Sequence, residues 1–357
     1  MTRFAISLIF PLLASTATAG PIETEAGTLQ AVTVAEGLDT PWAFDFLPDG
    51  TILVTLRDGA IVAFRGEERW LVENPPKVLA DGQGGLLDIM VPRDFAQTRE
   101  LFFTYSKRQF IRGSGTAVYK ATLSADGRSL TGGETIFEIA RGSGGGFHFG
   151  SRLVESPEGT LFVTIGDRGN PDTAQDLEMH NGSVVHITKD GDPGLGNPEL
   201  DGLPEIYSYG HRNPQGAALD GSGQLWLVEH GAQGGDEVNR VEPGVNYGWP
   251  VISYGVNYNG TKIGEGTAKE GMAQPVHYWD PSIAPSGMTF FEGGDWDGNA
   301  FVGSLKFDYI SRLAGNPLRE VEQIRGEETG RVRDVAQGPD GKLWWLSVFE
   351  GALYRLE

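Results

Sequence analysis

The sequence predicts an all-β protein, a six-bladed β-propeller of four-stranded antiparallel blades. Three observations support this fold class: 52 of the 357 residues are glycine, 8 Trp, 10 Tyr and 18 Phe accompany them, and one hairpin pattern recurs six times. Glycine permits the tight turns that join short strands. No amphipathic segment of twelve or more residues predicts a long helix. These observations disfavour a helical bundle and a coiled coil.

The hairpin pattern is an apolar run, a turn containing glycine, and a second apolar or alternating run. Its copies span residues 43–64, 88–106, 151–169, 216–231, 287–305 and 332–356. Each copy predicts two strands of one blade, and blades of about 40–50 residues fit six times into the chain. The alternative is a pair of β-sandwiches, but no low-complexity linker divides residues 20–357. The turn-rich stretch 230–285 is expected to wall the mouth of the central channel, because long loops are usually functional.

The first nineteen residues have the pattern of a secretory signal peptide. Arg3 precedes an apolar run over 4–14, and Ala17-Thr18-Ala19 is a small-residue cleavage signal. We expect cleavage near Ala19, export to the periplasm or the medium, and one domain over 20–357 with no membrane anchor. The alternative is an uncleaved tether, although the apolar run is short for a membrane span.

Composition excludes several classes of function. The formal net charge is −20, which disfavours a general nucleic-acid-binding surface. The chain has no cysteine, so disulfides, cysteine-ligated metals and thiol catalysis are excluded. The Gly-rich dinucleotide, P-loop and GxSxG patterns are also missing.

One histidine stands out among the six. His148 lies just before the first strand of a hairpin copy, and Asp167 follows its second strand, nineteen residues later. A hairpin returns residues at that separation to the same end of a sheet, so the two side chains are expected to pair. An Asp partner would fix the tautomer and make the ring a better base. The alternative is a structural histidine bonded to a turn.

Four cations lie at blade entries or exits. Arg212 is followed by Asn213 in GHRNPQG, and both could donate to a carboxylate or carbonyl oxygen. Lys306 follows a strand of the fifth copy, while Arg331 and Arg333 alternate in GRVRDV. If all four cations face one channel, they form a positive well suited to a small polyanion. Otherwise they are unrelated surface cations.

The segment EHGAQGGDEVN (229–239) is a candidate calcium loop. Its glycines can turn carbonyls inward, and Asp236 and Glu237 supply carboxylates, the hard oxygen ligands that Ca²⁺ prefers. The alternative is a solvated acidic loop. The segment DWDGNAF (295–301) lacks the glycine and the glutamate that an EF-hand requires, so it predicts a hairpin turn.

Taken together, these motifs resemble one family. Six strings occur in order: HFGSRLVESPEGTLFVTIGDRG, YGHRNPQG, EHGAQGGDEVN, NYGWP, GSLK and GRVRDVAQGPDG. They resemble the soluble quinoprotein sugar dehydrogenases of the glucose/sorbosone dehydrogenase family, and the aldose sugar dehydrogenase branch in particular. The resemblance covers essentially all of residues 30–357. It implies a six-bladed propeller that binds pyrroloquinoline quinone (PQQ) and Ca²⁺ and oxidises aldoses at C1 to lactones.

The resemblance also implies roles for individual residues. His148 matches the general base, and Asp167 matches the acid that supports it. Contacts to PQQ or the substrate are implied for Gln83, Arg212, Asn213, Lys306, Arg331 and Arg333, of which Arg212 and Asn213 match residues at the quinone oxygens. The carbonyls of Gly231 and Ala232 match ligands of a Ca²⁺ beside PQQ. Glu237 and the Tyr247 carbonyl match a second Ca²⁺ site, and Tyr258 a further one.

Two departures from the family pattern matter. Ala232 stands where the family often has proline, and Phe147 stands where glucose-specific members have an acid. Phe147 therefore favours broad use of aldoses. The long insertions of the dimeric members are missing, so we expect a monomer, with an external electron acceptor that the sequence does not name. The competing hypotheses are a Ca²⁺-dependent lactonase or hydrolase, and a propeller that binds a sugar or protein without catalysis.

Overall fold

The computed structural model describes residues 18–110 and 113–357, which form a ring of antiparallel sheets. Most of the predicted signal peptide, residues 1–17, lies outside the described residues. Two strands come first, β1 (Thr18–Thr24) and β2 (Gly27–Ala35). The described helical segments are short: α1 (Phe95–Thr98) and three 3₁₀ turns at Pro171–Gln175, Gly294–Trp296 and Glu327–Thr329. No helix in the described ranges has the length and apolar character that crossing a membrane requires.

Five blades are each built from four consecutive strands. Blade 1 contains β3 (Pro41–Phe46), β4 (Ile52–Leu56), β5 (Ile61–Arg65) and β6 (Glu68–Leu71). Blade 2 contains β7 (Leu86–Met90), β8 (Glu100–Gln109), β9 (Gly113–Leu123) and β10 (Leu130–Glu138). Blade 3 contains β11 (Gly150–Glu155), β12 (Leu161–Ile165), β13 (Ser183–Ile187) and β14 (Ile206–Tyr209). Blade 4 contains β15 (Pro214–Leu219), β16 (Leu225–Glu229), β17 (Asp236–Arg240) and β18 (His277–Trp279). Blade 5 contains β19 (Pro285–Phe290), β20 (Ala300–Ser304), β21 (Ile310–Ala314) and β22 (Arg319–Ile324).

Blade 6 joins the two ends of the chain. Its first three strands are β23 (Val332–Gln337), β24 (Leu343–Ser347) and β25 (Ala352–Leu356). β2 pairs with β25 as the fourth strand, and β1 adds a fifth at the outer edge. The predicted six four-stranded blades are therefore confirmed, and the closing blade gains one extra strand. Each of the six predicted copies covers the first two strands of a blade, and the copies at 43–64 and 332–356 also reach the third strand.

The repeated turns follow from their residues. In blade 1 the Leu47 N–H donates to the Thr51 carbonyl, and the Gly50 N–H donates back to Leu47. Blade 3 repeats this geometry between Ser156 and Thr160, with Gly159 in the turn. Gly50 and Gly159 have φ of +82° and +85°, a left-handed conformation that glycine adopts at little cost. This local chemistry is why the hairpins could be recognised in the sequence.

Apolar packing between the blades closes the ring. The first strands of neighbouring blades touch in succession from β3 to β23, and β23 returns to β3. Six buried apolar clusters correspond to the six blade-to-blade contacts. Each first strand also has a register shift near its start. Such bulges bend a strand and redirect its side chains, here at the end of the ring where the candidate site lies.

Charged side chains fill the channel below that end. Arg152 of β11 pairs with Asp88 of β7 at 2.8 Å and with Asp334 of β23 at 3.1 Å. All three side chains are buried. Burial raises the pKa of Asp88 to about 7, because desolvation outweighs the Arg152 charge. The network ties three blades together beneath the site.

Candidate active site

A cavity of about 530 Å³ opens at one end of the ring. Its walls come mainly from the starts of the first strands and the segments just before them, together with the turns after β20 and β24. The lining residues are Thr40, Pro41, Trp42, Arg57, Gln83, Leu87, Phe149, Gly150, Asn213, Gln215, His230, Ala284, Leu305, Lys306, Arg331, Arg333, Val348 and Phe349. All six blades contribute to one site, which single hairpins could not form.

Four non-glycine residues at the blade entries have left-handed backbones. Thr40, His148, Ala284 and Arg331 have φ of 50°, 56°, 53° and 45°. For residues with a Cβ this conformation costs roughly 1–2 kcal/mol each. Such strain persists where the surrounding structure enforces it, and it concentrates at functional sites. The entries of blades 1, 3, 5 and 6 are therefore held in a fixed geometry around the cavity.

Three of the four predicted cations line this cavity: Lys306, Arg331 and Arg333. Within the described ranges none of the three has a carboxylate oxygen within 4.0 Å of its charged nitrogens, although the protein carries a net charge of −20. The Arg331 guanidinium donates to the Leu305 carbonyl at 3.0 Å, and the Lys306 ammonium lies 4.9 Å from the Phe307 ring centroid. The cavity therefore presents three positive charges that have no ion-pair partner.

Arg333 is the most deeply placed of the three, with 9% of the residue exposed. Its guanidinium donates to Gln215 and stacks on the Trp42 ring, 4.5 Å from the centroid, while its Nε has no partner. Burial, reinforced by the nearby Arg152 charge, lowers the pKa of Arg333 to about 9. A buried cation of this kind is stabilised when an anion binds beside it.

The predicted His–Asp pair is formed at the edge of the cavity. The His148 Nδ1 lies 2.7 Å from Oδ1 of Asp167, whose side chain is fully buried. The backbone N–H of His148 donates to Oε1 of Gln83 at 2.8 Å, and Gln83 lines the cavity. His148 is not itself a lining residue, but the next residue, Phe149, is. Burial lowers the pKa of His148, and the Asp167 hydrogen bond opposes this only in part.

Arg212 and Asn213 differ in where they point. Asn213 lines the cavity, and its Oδ1 accepts from the Gly150 N–H at 3.1 Å. The Arg212 guanidinium instead turns to the side and donates to the carbonyls of His230 and Gly231. Arg212 therefore does not join the other three cations in lining the main cavity. Arg212 instead lines a second cavity, together with His230 and Gly231.

The second cavity is small, about 20 Å³, and acidic. Glu229, Gly231, Glu237 and Tyr247 line it. Asn239 donates to Glu229 at 3.0 Å and to Glu237 at 3.1 Å, and its own Oδ1 is buried without a partner. Burial, together with the Glu229 charge, raises the pKa of Glu237 to about 8. One buried carboxylate, one partly buried carboxylate and an orphaned amide oxygen fit a hard cation.

Other predicted metal residues behave differently. Asp236, a candidate oxygen ligand, lies at the start of β17, and its carboxylate accepts from Gly231, Ser282 and Ala284. Because three donors already bind its carboxylate, Asp236 stabilises the loop that precedes β17. Ala232 is buried beside the second cavity but does not line it. Tyr258 is 77% exposed and lines neither cavity, so the structure does not bring it to the other ligands.

Sequence reasoning missed several residues of the site. His230 lines the main cavity, and its Nε2 lies 2.7 Å from the Pro285 carbonyl. Burial lowers the pKa of His230 to about 3, so this ring is neutral. Trp42 and Gln215 support Arg333 from blades 1 and 4. Only His230 had a signal, since it belongs to the segment 229–239. The contacts of Trp42 and Gln215 with Arg333 join different blades and leave no signal in the sequence.

Comparison with known families agrees with this geometry. The family model described as Glucose / Sorbosone dehydrogenase matches residues 38–355. This chain belongs to the glucose/sorbosone dehydrogenase family. The family resemblance and the propeller fold predicted from the sequence are both confirmed.

Individual relatives are similar over most of their length. The chain is 40% identical to aldose sugar dehydrogenase YliI of Escherichia coli, and the match covers 90% of each protein. The apo structure of the E. coli aldose sugar dehydrogenase matches with a TM-score of 0.88 at 39% identity, covering 92% of this chain and 99% of that one. The PQQ-bound aldose sugar dehydrogenase of Streptomyces coelicolor matches with a TM-score of 0.77 at 28% identity, covering 91% and 96%.

Proposed function

We propose that this protein oxidises aldoses at C1 to lactones, using PQQ and Ca²⁺ and passing electrons to an external acceptor. The observation that carries the proposal is a cavity of about 530 Å³ lined by three cations, Lys306, Arg331 and Arg333, which have no carboxylate partner among the described residues. PQQ is a tricarboxylate, so its charge complements these residues. The partnerless Nε of Arg333 offers a buried donor to such an anion. The PQQ-bound relative supports the same cofactor.

The protein's own part of the reaction centres on His148. Since Asp167 accepts a hydrogen bond from Nδ1, that nitrogen holds the proton and Nε2 is free to accept the C1 hydroxyl proton. The lowered pKa keeps the ring neutral and ready to act as a base near pH 7. Asp167 then stabilises the imidazolium that forms. PQQ, when bound, supplies the hydride acceptor.

We also propose that the second cavity binds Ca²⁺ through Glu237 and the Tyr247 carbonyl, with Glu229 beside them. The raised pKa of Glu237 and the orphaned Asn239 oxygen support a cation there. The fit is poorer at the carbonyls of Gly231 and Ala232, because Arg212 already donates to the Gly231 oxygen. A cation at Gly231 requires Arg212 to turn away.

The competing hypotheses receive less support. A lactonase would need side-chain carboxylates or amides converging on one metal in the channel and would have no use for three unpaired cations. A binding propeller without catalysis would have no need for the paired and strained His148. We further propose that residues 1–19 direct export and that 20–357 form the mature single domain, a monomer.

Reconstitution tests the proposal. The purified mature protein is stripped with a chelator and assayed for dye reduction with a panel of aldoses, with PQQ and Ca²⁺ added separately and together. Activity only with both additions is expected, and His148→Ala should lower it about 10²–10⁴-fold. His186→Ala is the matched control, since His186 contacts Thr160 and Asn197 away from the cavity. Absence of both PQQ binding and activity would refute the assignment.

A further inference from the structure

Trp249 belongs to a sequence motif of which the proposed function uses only Tyr247. It lies in NYGWP, within the connection between β17 and β18 of blade 4. Its indole N–H reaches across to blade 3 and donates to Oδ2 of Asp167 at 2.8 Å. The connection thus contacts the His148–Asp167 pair from outside the cavity.

This bond completes the environment of the Asp167 carboxylate. Oδ1 accepts from His148 at 2.7 Å and from the Gly169 N–H at 2.7 Å. Oδ2 accepts from the indole N–H of Trp249. The Asp167 side chain has no exposed surface. Without the indole, a buried anionic oxygen would lose its donor, which is costly. We propose that Trp249 is a positioning residue for the reaction, which holds Asp167 in the orientation that makes His148 a base.

The indole is itself held firmly. The backbone N–H of Trp249 donates to the Gly210 carbonyl at 2.9 Å, and Gln175 Nε2 donates to the backbone carbonyl of Trp249 at 2.7 Å. The Arg212 guanidinium lies over the ring, 5.2 Å from its centroid. Backbone and ring are thus fixed by three partners from blade 3 and the loop between blades 3 and 4. A ring fixed in this way can position a carboxylate.

The charges around His148 determine the sign of the effect. Asp167 favours the imidazolium, whereas Arg212 and Arg168 oppose it, and burial opposes it most strongly. The hydrogen bond from the indole N–H of Trp249 stabilises part of the negative charge of Asp167. Removing that donor leaves more charge facing the His148 ring, so the pKa of His148 should rise. A less rigid carboxylate should also slow proton transfer without altering sugar binding.

Trp249→Phe tests this inference, which rests on the proposed function only for its kinetic part. The pKa of His148 is measured by NMR on histidine-labelled protein without cofactor, with His148→Ala to assign its signal. A higher pKa is expected, with kcat of the reconstituted enzyme reduced about tenfold and KM changed less than about twofold. Trp226→Phe is the matched control, because it removes an indole donor from Asp220 at 2.9 Å far from the site.

The outcomes separate the two proposals. A wild-type protein that fails to turn over with PQQ and Ca²⁺ refutes the function, while the NMR titration still tests Trp249. An unchanged or lowered pKa of His148 in Trp249→Phe, with unchanged kcat, overturns the positioning proposal. If Trp249→Phe does not fold, benzothienylalanine at position 249 keeps the ring shape and removes only the donor. The same shift in pKa is expected from it.

Discussion

Replacing Arg333 by Gln should separate the stability of the protein from its affinity for PQQ. Arg333 is buried, lacks a carboxylate partner, and has a pKa lowered to about 9 by burial. Its folded pKa lies below the unfolded value of 12.5, so the folded protein disfavours this charge at neutral pH and the cost falls as pH rises above about 9. The charge is useful only when an anion is bound.

The expected magnitudes follow from these contacts. Removing an unpaired buried charge relieves a penalty of several kcal/mol. Opposing this are the bond to Gln215, about 1.5–3 kcal/mol, and stacking on Trp42, about 1–2 kcal/mol. The free energy of unfolding of the cofactor-free Arg333→Gln variant should therefore stay within about 1–2 kcal/mol of the wild type. Losing one charged hydrogen bond to PQQ should weaken binding roughly 10- to 150-fold.

Calorimetric titration of PQQ into the calcium-loaded protein measures the affinity, and urea unfolding without PQQ measures the stability. Arg65→Gln is the matched control, since Arg65 is exposed and already paired with Asp49. It should change neither quantity by much. An Arg333→Gln variant that binds PQQ as tightly as the wild type would refute the inference that the three cations form the anion site.

Two further predictions concern the second cavity and the turns. Burial raises the pKa of Glu237 to about 8 from 4.5, so in chelated protein its contribution to stability is complete below pH 4.5 and is lost as pH rises through about 8. Glu237→Gln should flatten this loss by at most about 5 kcal/mol, because each pKa unit is worth about 1.4 kcal/mol. It should also reduce the rise in melting temperature that Ca²⁺ gives the wild type; identical calcium responses would contradict the cation site. Gly159→Ala should lower the free energy of unfolding, measured in urea, by about 1 kcal/mol, because φ is +85° although the space around the new Cβ is open. The control Gly221→Ala, also in open space but without a positive φ, should leave the free energy of unfolding unchanged or raise it slightly.

The agreement between sequence and structure has a local origin. The turn around Gly159 and the pairing of His148 with Asp167 both lie within a single hairpin, so residue spacing predicts them. Lys306 and Arg333 could be placed at the cavity because each stands at a fixed position in a repeated unit. Because the hairpin pattern repeats, a prediction made for one blade could be extended to the whole ring.

The disagreements arise where a side chain has more than one partner within reach. Arg212 was considered together with three other cations as part of one positive well, yet it turns to the carbonyls of His230 and Gly231 in blade 4. Asp236 was considered a cation ligand, yet Ser282 and Ala284, about fifty residues later in the chain, donate hydrogen bonds to its carboxylate. The Asp236 contacts form only when the segment before blade 5 packs against blade 4. Arg212 and its acceptors lie 18 and 19 residues apart around one hairpin, but spacing alone does not tell which way a long side chain turns.

By itself, the sequence determined that this protein is a six-bladed propeller of the glucose/sorbosone dehydrogenase family with a His–Asp pair at one blade entry. Only the tertiary structure decided that β2 closes the ring against β25, that three cations share one cavity with no carboxylate partner among the described residues, and that Trp249 reaches Asp167. The physical reason is that turns and hairpins depend on neighbouring residues. Ring closure and the contacts across it depend on the packing of all six blades.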